Sequence, residues 1–264
     1  MSRIQKLSED LISKIAAGEV IERPFSVVKE LVENSIDAGS SEIHVDVEEG
    51  GRKKIVILDN GIGMTEAEAQ MCLERHATSK IRSDEDLFNI HTLGFRGEAM
   101  PSIAAISFMT LETIANSPQP PLNVRGGEEA IGVRFDIEGG KVLKKSASSL
   151  TQGTRISIER LFFNTPARLK FLKSKETEFS HISNWLESMA LCRPDIQFTL
   201  KHQGKTELWA PAVDDLRWRI KDVLGEEIAE FSRRVDFKRG DMSVYGYVTD
   251  HRVTSTSSKS IFFL

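Results

Sequence analysis

The order of helical and strand patterns of apolar residues along the chain limits the folds that it can adopt. Residues 27–39, VVKELVENSIDAG, repeat apolar side chains at helical spacing, and two helical segments open the chain. EIHVDVE and KIVILDNG then have strand patterns separated by glycines, as in a hairpin. Later strand patterns follow one another without regular alternation with helices. This order favours an α+β sandwich, in which helices cover one face of a mixed sheet.

Capping and turn residues predict where the elements begin and end. Ser8 can cap a first helix running to Gly18, and Pro24 suits the first turn of a second helix that ends near residues 37–39. Further helices are expected in TEAEAQMCLER, GFRGEAMPSIAAIS and EFSHISNWLESMALC, strands in FMTLETI, IGVRFDIE, KVLKKSA and TRISIER, and a hairpin turning at Gly204 in IQFTLKHQGKTELWA.

Charge and cysteine content exclude several classes of protein. The chain has 35 basic and 39 acidic side chains and a net charge of -4, so nucleic acid could only meet a local basic surface. Cys72 and Cys192 have no CxxC or Cys/His spacing, which indicates a reducing compartment and neither a disulfide framework nor a zinc site. Since the sequence has no apolar leader and no run of membrane-span length, we expect a cytoplasmic protein without a membrane contact.

The segment DNGIGM, residues 59–64, is the first candidate for ligand binding. Asp59 ends a predicted strand, and Gly61 and Gly63 would let the backbone approach a flat ligand closely. The carboxylate could accept a hydrogen bond from an exocyclic amine. DNG is also ordinary turn chemistry, so the motif alone leaves both interpretations open.

Two further segments suit phosphate. LGFRGEA, residues 93–99, is a glycine-rich bend before a predicted helix, where free N–H groups and the helix dipole favour anions; a simple helix-entry loop is the alternative. HATSKI, residues 76–81, would either close two hydroxyls and a lysine over an anion or form a plain polar loop. The chain has no GxxxxGK phosphate loop and no complete dinucleotide fingerprint.

Taken in order, these motifs resemble one known family. Glu30 and Asn34 lie four residues apart on one helix, followed by the DxGxG strand end, the TSK loop, GFRGE and the GT pair at 153–154. Together with AAGEVIERP and NTPAR, this order resembles the MutL family of DNA mismatch-repair proteins. That family lies within the GHKL (Bergerat-type) ATPase superfamily, with topoisomerase B subunits, histidine kinases and a heat-shock chaperone.

The resemblance implies ATP and Mg²⁺ as cofactors and a role for each matching residue. Glu30 would be the general base for the attacking water, and Asn34 would ligate Mg²⁺. Asp59 would bind the adenine amine, with Thr154 assisting through water. The other implied nucleotide contacts are Gly61 and Gly63 beside the base, Thr78, Ser79 and Lys80 in the ATP lid, and Gly94, Phe95, Arg96, Gly97 and Glu98 around the phosphates.

The resemblance also implies a function and partners. The chain would be a slow, Mg²⁺-dependent ATPase whose nucleotide-switched dimerisation couples mismatch recognition to later repair. The alternative is a nucleotide-gated DNA-binding or scaffold module with negligible turnover. A sensor kinase would share the adenine pocket but normally lacks the glutamate at the Glu30 position. The implied partners are a second copy of the chain, a MutS-type mismatch recognition protein, a repair endonuclease or helicase, and DNA bound without sequence preference at the nucleoid.

Two expectations concern the second half of the chain. Residues 1–200 would form the ATPase domain, and 201–264 the incomplete N-terminal part of a ribosomal-protein-like transducer domain, so that the chain is a fragment. Residues 160–175, RLFFNTPARLKFLKSK, contain no acidic side chain, and a solvated basic face is the alternative to a DNA contact there. The candidate DNA contacts are Arg168, Lys170, Lys173 and Lys175.

Overall fold

The computed structural model describes residues 9–78, 97–115, 131–240 and 242–253. The helices in these ranges are α1 (Glu9–Val20), α2 (Pro24–Asp37), α3 (Glu66–Met71), α4 (Ala99–Ala105), α5 (Pro166–Phe171), α6 (Lys175–Cys192), α7 (Leu216–Leu224) and α8 (Glu226–Phe231). The strands are β1 (Glu42–Glu48), β2 (Lys54–Asp59), β3 (Phe108–Ile114), β4 (Gly132–Glu138), β5 (Lys141–Ser148), β6 (Gly153–Glu159), β7 (Gln197–His202), β8 (Lys205–Ala210), β9 (Ser232–Arg239) and β10 (Met242–Thr249).

Eight of the strands form one mixed sheet, in the order β5-β4-β3-β6-β2-β1-β7-β8. The β1–β7 pair is parallel, whereas the other pairs described in this sheet are antiparallel. Strands β9 and β10 form a separate antiparallel pair. The mixed sheet with its helices confirms the predicted α+β class.

The core lies between one face of the sheet and the helices. Buried and more exposed residues alternate along β1 and β2, so that one face of each strand carries the apolar side chains. Val28 and Leu31 of α2 are buried against this core together with Ile55 and Ile57 of β2. Each such side chain contributes roughly 1.5 to 3 kcal/mol on burial, which fixes α2 over the centre of the sheet. None of the helices in the described parts of the chain is both long and apolar enough to cross a membrane.

Local signals placed several elements correctly. Pro24 lies in the first turn of α2, where its missing N–H costs no helical hydrogen bond. Glu68 N–H donates to Thr65 Oγ1 at 3.3 Å, and Thr65 N–H donates to Glu68 Oε2 at 2.8 Å, which forms a capping box at the start of α3. Gly204 lies in the turn between β7 and β8, as predicted.

The first helix extends further than predicted. Helix α1 continues through Gly18 to Val20, so the expected end at Gly18 is wrong, and the expected cap Ser8 lies outside the described residues. A Cβ at Gly18 would lie 2.6 Å from Nη2 of Arg168, whose Nη1 donates to the carbonyl of Ile21 at 3.2 Å. The glycine therefore leaves space for a guanidinium that binds just beyond the end of α1.

The sheet continues past the predicted domain boundary. Residue 200 lies inside β7, and β8 pairs with β7 at the edge of the same sheet. A boundary at residue 200 would divide the β7–β8 hairpin. The eight-stranded sheet ends at Ala210. The division of the chain into an ATPase and a transducer domain stays a prediction.

Candidate functional site

Three strands align polar side chains at one end of the sheet. Asp59 of β2 is paired in register with Thr154 of β6, which is itself paired with Thr113 of β3. All three residues are buried. The hydroxyl oxygens of Thr113 and Thr154 are 3.0 Å apart, and Met64 N–H donates to Thr113 Oγ1 at 2.9 Å. The row therefore joins the DNGIGM loop to the start of β6.

The Asp59 carboxylate is held by three donors. Ser35 Oγ donates to its Oδ2 at 2.8 Å, while Ser40 Oγ at 3.2 Å and Gly61 N–H at 2.9 Å donate to its Oδ1. An ionised carboxylate has about four acceptor sites, so within the described part of the chain one on Oδ2 has no donor. Asp59 is only 7 % exposed, and a buried acceptor with a free site favours a ligand that brings an N–H group.

Helix α2 brings Glu30 and Asn34 to the same end of the sheet. The Ser35 bond to Asp59 fixes the C-terminal half of α2 beside the end of β2. Asn34 precedes Ser35, and Glu30 lies one turn earlier; both are half-buried rather than fully solvated. Asp37, the last residue of α2, is also half-buried.

The glycines of the DNGIGM loop are required by the chain itself. Gly63 has a positive φ of 63°, and a Cβ there would lie 1.8 Å from the Ile114 carbonyl oxygen. A Cβ at Gly61 would lie 2.7 Å from Ser40 Oγ and 2.9 Å from the Ala38 carbonyl oxygen. Any larger residue at either position would displace the loop from the end of β3 or from the end of α2.

The two segments predicted to bind phosphate meet at their described ends. A Cβ at Gly97 would lie 2.4 Å from the Ala77 carbonyl oxygen and 3.2 Å from Thr78 Cβ, so TSK and GFRGE approach each other closely. His76 Nδ1 also lies 3.4 Å from an oxygen of Glu98, the residue that precedes α4. The other predicted contacts in these segments lie outside the described residues: Ser79, Lys80, Gly94, Phe95 and Arg96.

The structure separates the four predicted basic residues into two that make contacts within the fold and two that face solvent. Lys175 forms an ion pair with Glu49 at 2.8 Å, and Arg168 donates to the Ile21 carbonyl, so both contribute to contacts within the fold. Lys170 and Lys173 are exposed, and no ion pair of either is found among the described residues. These two lysines carry the positive charge that α5 and the segment after it present to solvent.

Sequence reasoning missed the side chains that support the site. The sequence did not predict Ser35 and Ser40, whose hydroxyls donate to Asp59. It also did not predict Thr113, which accepts from Met64 in the DNGIGM loop. The serines flank the IDAG segment at the end of α2. Their closeness in sequence to Glu30 and Asn34 was the only sequence signal for a role in the site. Thr113 gave none, because its role depends on the register of β3 against β6.

The fold and this site define a class of ATP-binding proteins. Residues 21–119 match the family described as histidine kinase-, DNA gyrase B-, and HSP90-like ATPase. The matched range includes α2, β2 and the DNGIGM loop, and therefore Glu30, Asn34 and Asp59.

Longer relatives and solved structures identify one family within this class. The DNA mismatch repair protein MutL of Geotalea daltonii is 46% identical over 261 residues, which cover 99% of this chain and 42% of the relative. That of Listeria innocua is 48% identical over 244 residues, covering 92% and 38%. The Aquifex aeolicus MutL ATPase domain, solved in complex with ADP, aligns with a TM-score of 0.60 at 28% identity, covering 83% of this chain and 73% of that one. The N-terminal domain of a DNA repair protein aligns with a TM-score of 0.72 at 26% identity, covering 92% and 74%.

The chain belongs to the MutL family, as the sequence motifs predicted. It spans about two fifths of the length of these curated relatives, 42% of one and 38% of the other.

Proposed function

We propose that the chain is the ATP-binding and ATP-hydrolysing module of a MutL-type DNA mismatch repair protein. The observation that carries this proposal is the buried Asp59 carboxylate, to which three donors bind from the described residues, leaving one acceptor site without a described donor. The 6-amino group of adenine would fill that site. Thr154, in register beside Asp59, would hold a water molecule that also contacts the base.

Glu30 and Asn34 are assigned to the phosphate end of the nucleotide. Because they lie one turn apart on the helix that Ser35 fixes beside Asp59, both would face the phosphates of a nucleotide whose base meets Asp59. Glu30 would accept a proton from the attacking water, and its fixed position would orient that water for in-line attack.

The donor set fits Mg²⁺ held mainly by the nucleotide. Mg²⁺ prefers oxygen ligands and few protein contacts, and the Asn34 amide oxygen supplies one. Within the described ranges, no group of three or more His, Cys, Asp and Glu side chains is placed to hold a metal ion. When bound, Mg²⁺ would neutralise charge on the phosphate oxygens, and Asn34 would set its position relative to Glu30.

The segments that meet at Gly97 would surround the phosphates. Thr78 and the backbone at Gly97 and Glu98 lie together at the described ends of TSK and GFRGE. Backbone N–H groups before α4 would donate to phosphate oxygens. The other residues proposed for this part of the site, Ser79, Lys80, Gly94, Phe95 and Arg96, lie outside the described residues.

The proposed biological role follows from the family. ATP binding would promote association of two copies, and hydrolysis would reset them, so that mismatch recognition by a MutS-type protein is passed to an endonuclease or helicase. DNA would bind without sequence preference, with Lys170 and Lys173 as the principal contacts of the α5 region.

Replacing Glu30 with alanine tests the proposed chemistry. Single-turnover hydrolysis of ATP, with and without Mg²⁺, should fall roughly 10²- to 10⁴-fold because general-base catalysis is lost, while ATP binding is retained. Glu207→Ala, an exposed acid on β8, is the matched control and should hydrolyse ATP like the parent. Unchanged turnover in Glu30→Ala would remove Glu30 from the role of base. Binding without any turnover in the parent would favour the scaffold alternative.

A further inference from the structure

The Thr113 hydroxyl is fully buried in the polar row and has three polar neighbours. Met64 N–H donates to it at 2.9 Å, the Gly153 carbonyl oxygen lies 3.1 Å away, and the Thr154 hydroxyl oxygen lies 3.0 Å away. A threonine hydroxyl has one proton and two acceptor sites. The three neighbours therefore use the whole hydrogen-bonding capacity of Thr113.

The chemistry of these neighbours fixes the direction of each hydrogen bond. The Met64 N–H can only donate and the Gly153 carbonyl can only accept, so the Thr113 proton lies towards Gly153. If that proton turned towards Thr154 instead, two buried oxygen acceptors would face each other 3.1 Å apart with no proton between them. The remaining contact therefore requires the Thr154 hydroxyl to donate its proton to Thr113.

This direction leaves Thr154 as an acceptor towards the nucleotide. Thr154 is paired in register with Asp59, and both side chains are buried. Because the only proton of the Thr154 hydroxyl is bound to Thr113, any group that this hydroxyl holds in the site must donate to it. A water molecule between Thr154 and a base would spend one proton on Thr154 and would have one proton left to donate.

The second proton of that water needs an acceptor other than Asp59. Three donors of the chain and the proposed 6-amino group of adenine would use the four acceptor sites of the carboxylate. Ring nitrogen N1 adjoins the 6-amino group on adenine and has a free lone pair. We propose that Thr113 is a positioning residue for base recognition, because it binds the Thr154 proton and so makes the water donate to N1. The inference rests on the proposed ATP site and adds a second position at which the site selects its base.

The resulting site recognises a base edge on which a donor lies beside an acceptor. Adenine has this edge, whereas hypoxanthine and guanine have an oxygen at position 6 and an N–H at position 1, so both contacts would meet the wrong partner. The analogue 1-deaza-ATP changes one contact alone: it keeps the 6-amino group and has a C–H in place of N1. It therefore separates the water contact from the Asp59 contact.

Calorimetric binding of ATP and 1-deaza-ATP to the 264-residue chain tests the proposal. The parent should bind ATP roughly 2- to 12-fold more tightly, which is the effect of one hydrogen bond. Thr113→Val should lose most of this preference, because the Thr154 proton is then free to turn towards the water. Thr113→Ser keeps the hydroxyl and should keep the preference. Thr110→Val, which removes a hydroxyl bound to Asp136 on the same strand, is the matched control and should also keep it.

The preference between two nucleotides separates positioning from a merely structural role. Loss of packing in Thr113→Val would weaken both nucleotides equally and leave their ratio as in the parent, which would overturn the proposal. The ratio for ATP against 7-deaza-ATP, which alters a ring nitrogen away from this edge, should not change in any variant. If Thr113→Val does not fold, loss of the preference in Thr113→Ser would overturn the proposal instead. Equal binding of ATP and 1-deaza-ATP by the parent would refute the N1 contact alone, whereas binding of neither would refute the proposed ATP site.

Discussion

Two buried charges, Asp59 and Arg219, lie at the same end of the sheet and are held in opposite ways. Three donors bind Asp59, two of which are serine hydroxyls. Arg219 of α7 is fully buried, and its guanidinium donates to four backbone carbonyls at 2.7 to 3.0 Å. These carbonyls belong to the end of α6, the turn before β7 and the residue after β8: Ala190, Pro194, Ile196 and Pro211.

The difference separates a structural charge, Arg219, from Asp59, the charge that we propose recognises the ligand. Burial lowers the pKa of the Arg219 guanidinium, but arginine stays charged at neutral pH, so its four bonds to carbonyls join α7 firmly to the sheet. Both of its terminal nitrogens are committed to the backbone, whereas its buried Nε has no partner among the described residues. Asp59 keeps an acceptor site on Oδ2, and its supporting hydroxyls do not fill it. An unfilled acceptor next to the glycine-rich DNGIGM loop is suited to bind a ligand that brings an N–H group.

Removing Arg219 should have the largest effect. Arg219→Met leaves the buried carbonyls of Ala190 and Ile196 without their donor, and we expect the free energy of unfolding to fall by roughly 2 to 5 kcal/mol in urea denaturation. Arg219→Lys should lose less, since it keeps one charged donor group. Arg217→Met, exposed on the same helix, should stay within about 0.5 kcal/mol of the parent. A loss below about 1 kcal/mol in Arg219→Met would show that α7 is held by other contacts.

The corresponding change at Asp59 should act on binding instead of stability. Asp59→Asn, with its amide nitrogen at the Oδ2 position, keeps an oxygen for Ser40 and Gly61 but loses the acceptor for Ser35. It also places an amide N–H where the adenine amine would donate. We expect ATP affinity, measured by calorimetry, to fall by about 1 to 3 kcal/mol. The free energy of unfolding should change by less than that. If the variant unfolds readily and the fraction still folded binds ATP like the parent, the two buried charges would have the same structural role.

The smallest effect is expected at Ser35. Ser35→Ala removes one donor to Asp59 Oδ2 and should weaken ATP binding by about 0.5 to 1.5 kcal/mol, because the carboxylate is less firmly oriented. Ser107→Ala is the matched control: its buried hydroxyl donates to the Ile103 carbonyl at 2.6 Å and has no contact with Asp59 among its described bonds. Ser107→Ala should lower stability and leave ATP affinity unchanged. Equal binding losses in both variants would argue that Ser35 acts only through packing.

The sequence predicted those features that depend on residues close together in the chain. The predicted position of Asp59 at the end of a strand is confirmed, because the apolar strand pattern stops there and glycines follow; Pro24 correctly located the start of α2. Arg219 and Thr113 were not found, because their partners are distant in sequence and their roles depend on strand register and on packing between elements. Gly18 was taken for a helix end, whereas its contact with a distant arginine explains the glycine inside α1.

Replacing the adenine base of the nucleotide tests the central claim, that Asp59 accepts a hydrogen bond from the adenine amine. Inosine triphosphate has an oxygen in place of the 6-amino group and is otherwise equivalent to ATP in its sugar and phosphates. The parent should bind ATP roughly 5- to 100-fold more tightly than inosine triphosphate, since an oxygen facing the carboxylate leaves that buried acceptor unpaired. Asp59→Asn should lose most of this preference. Equal affinity of the parent for both nucleotides would contradict the assignment of Asp59 and of the site built around it.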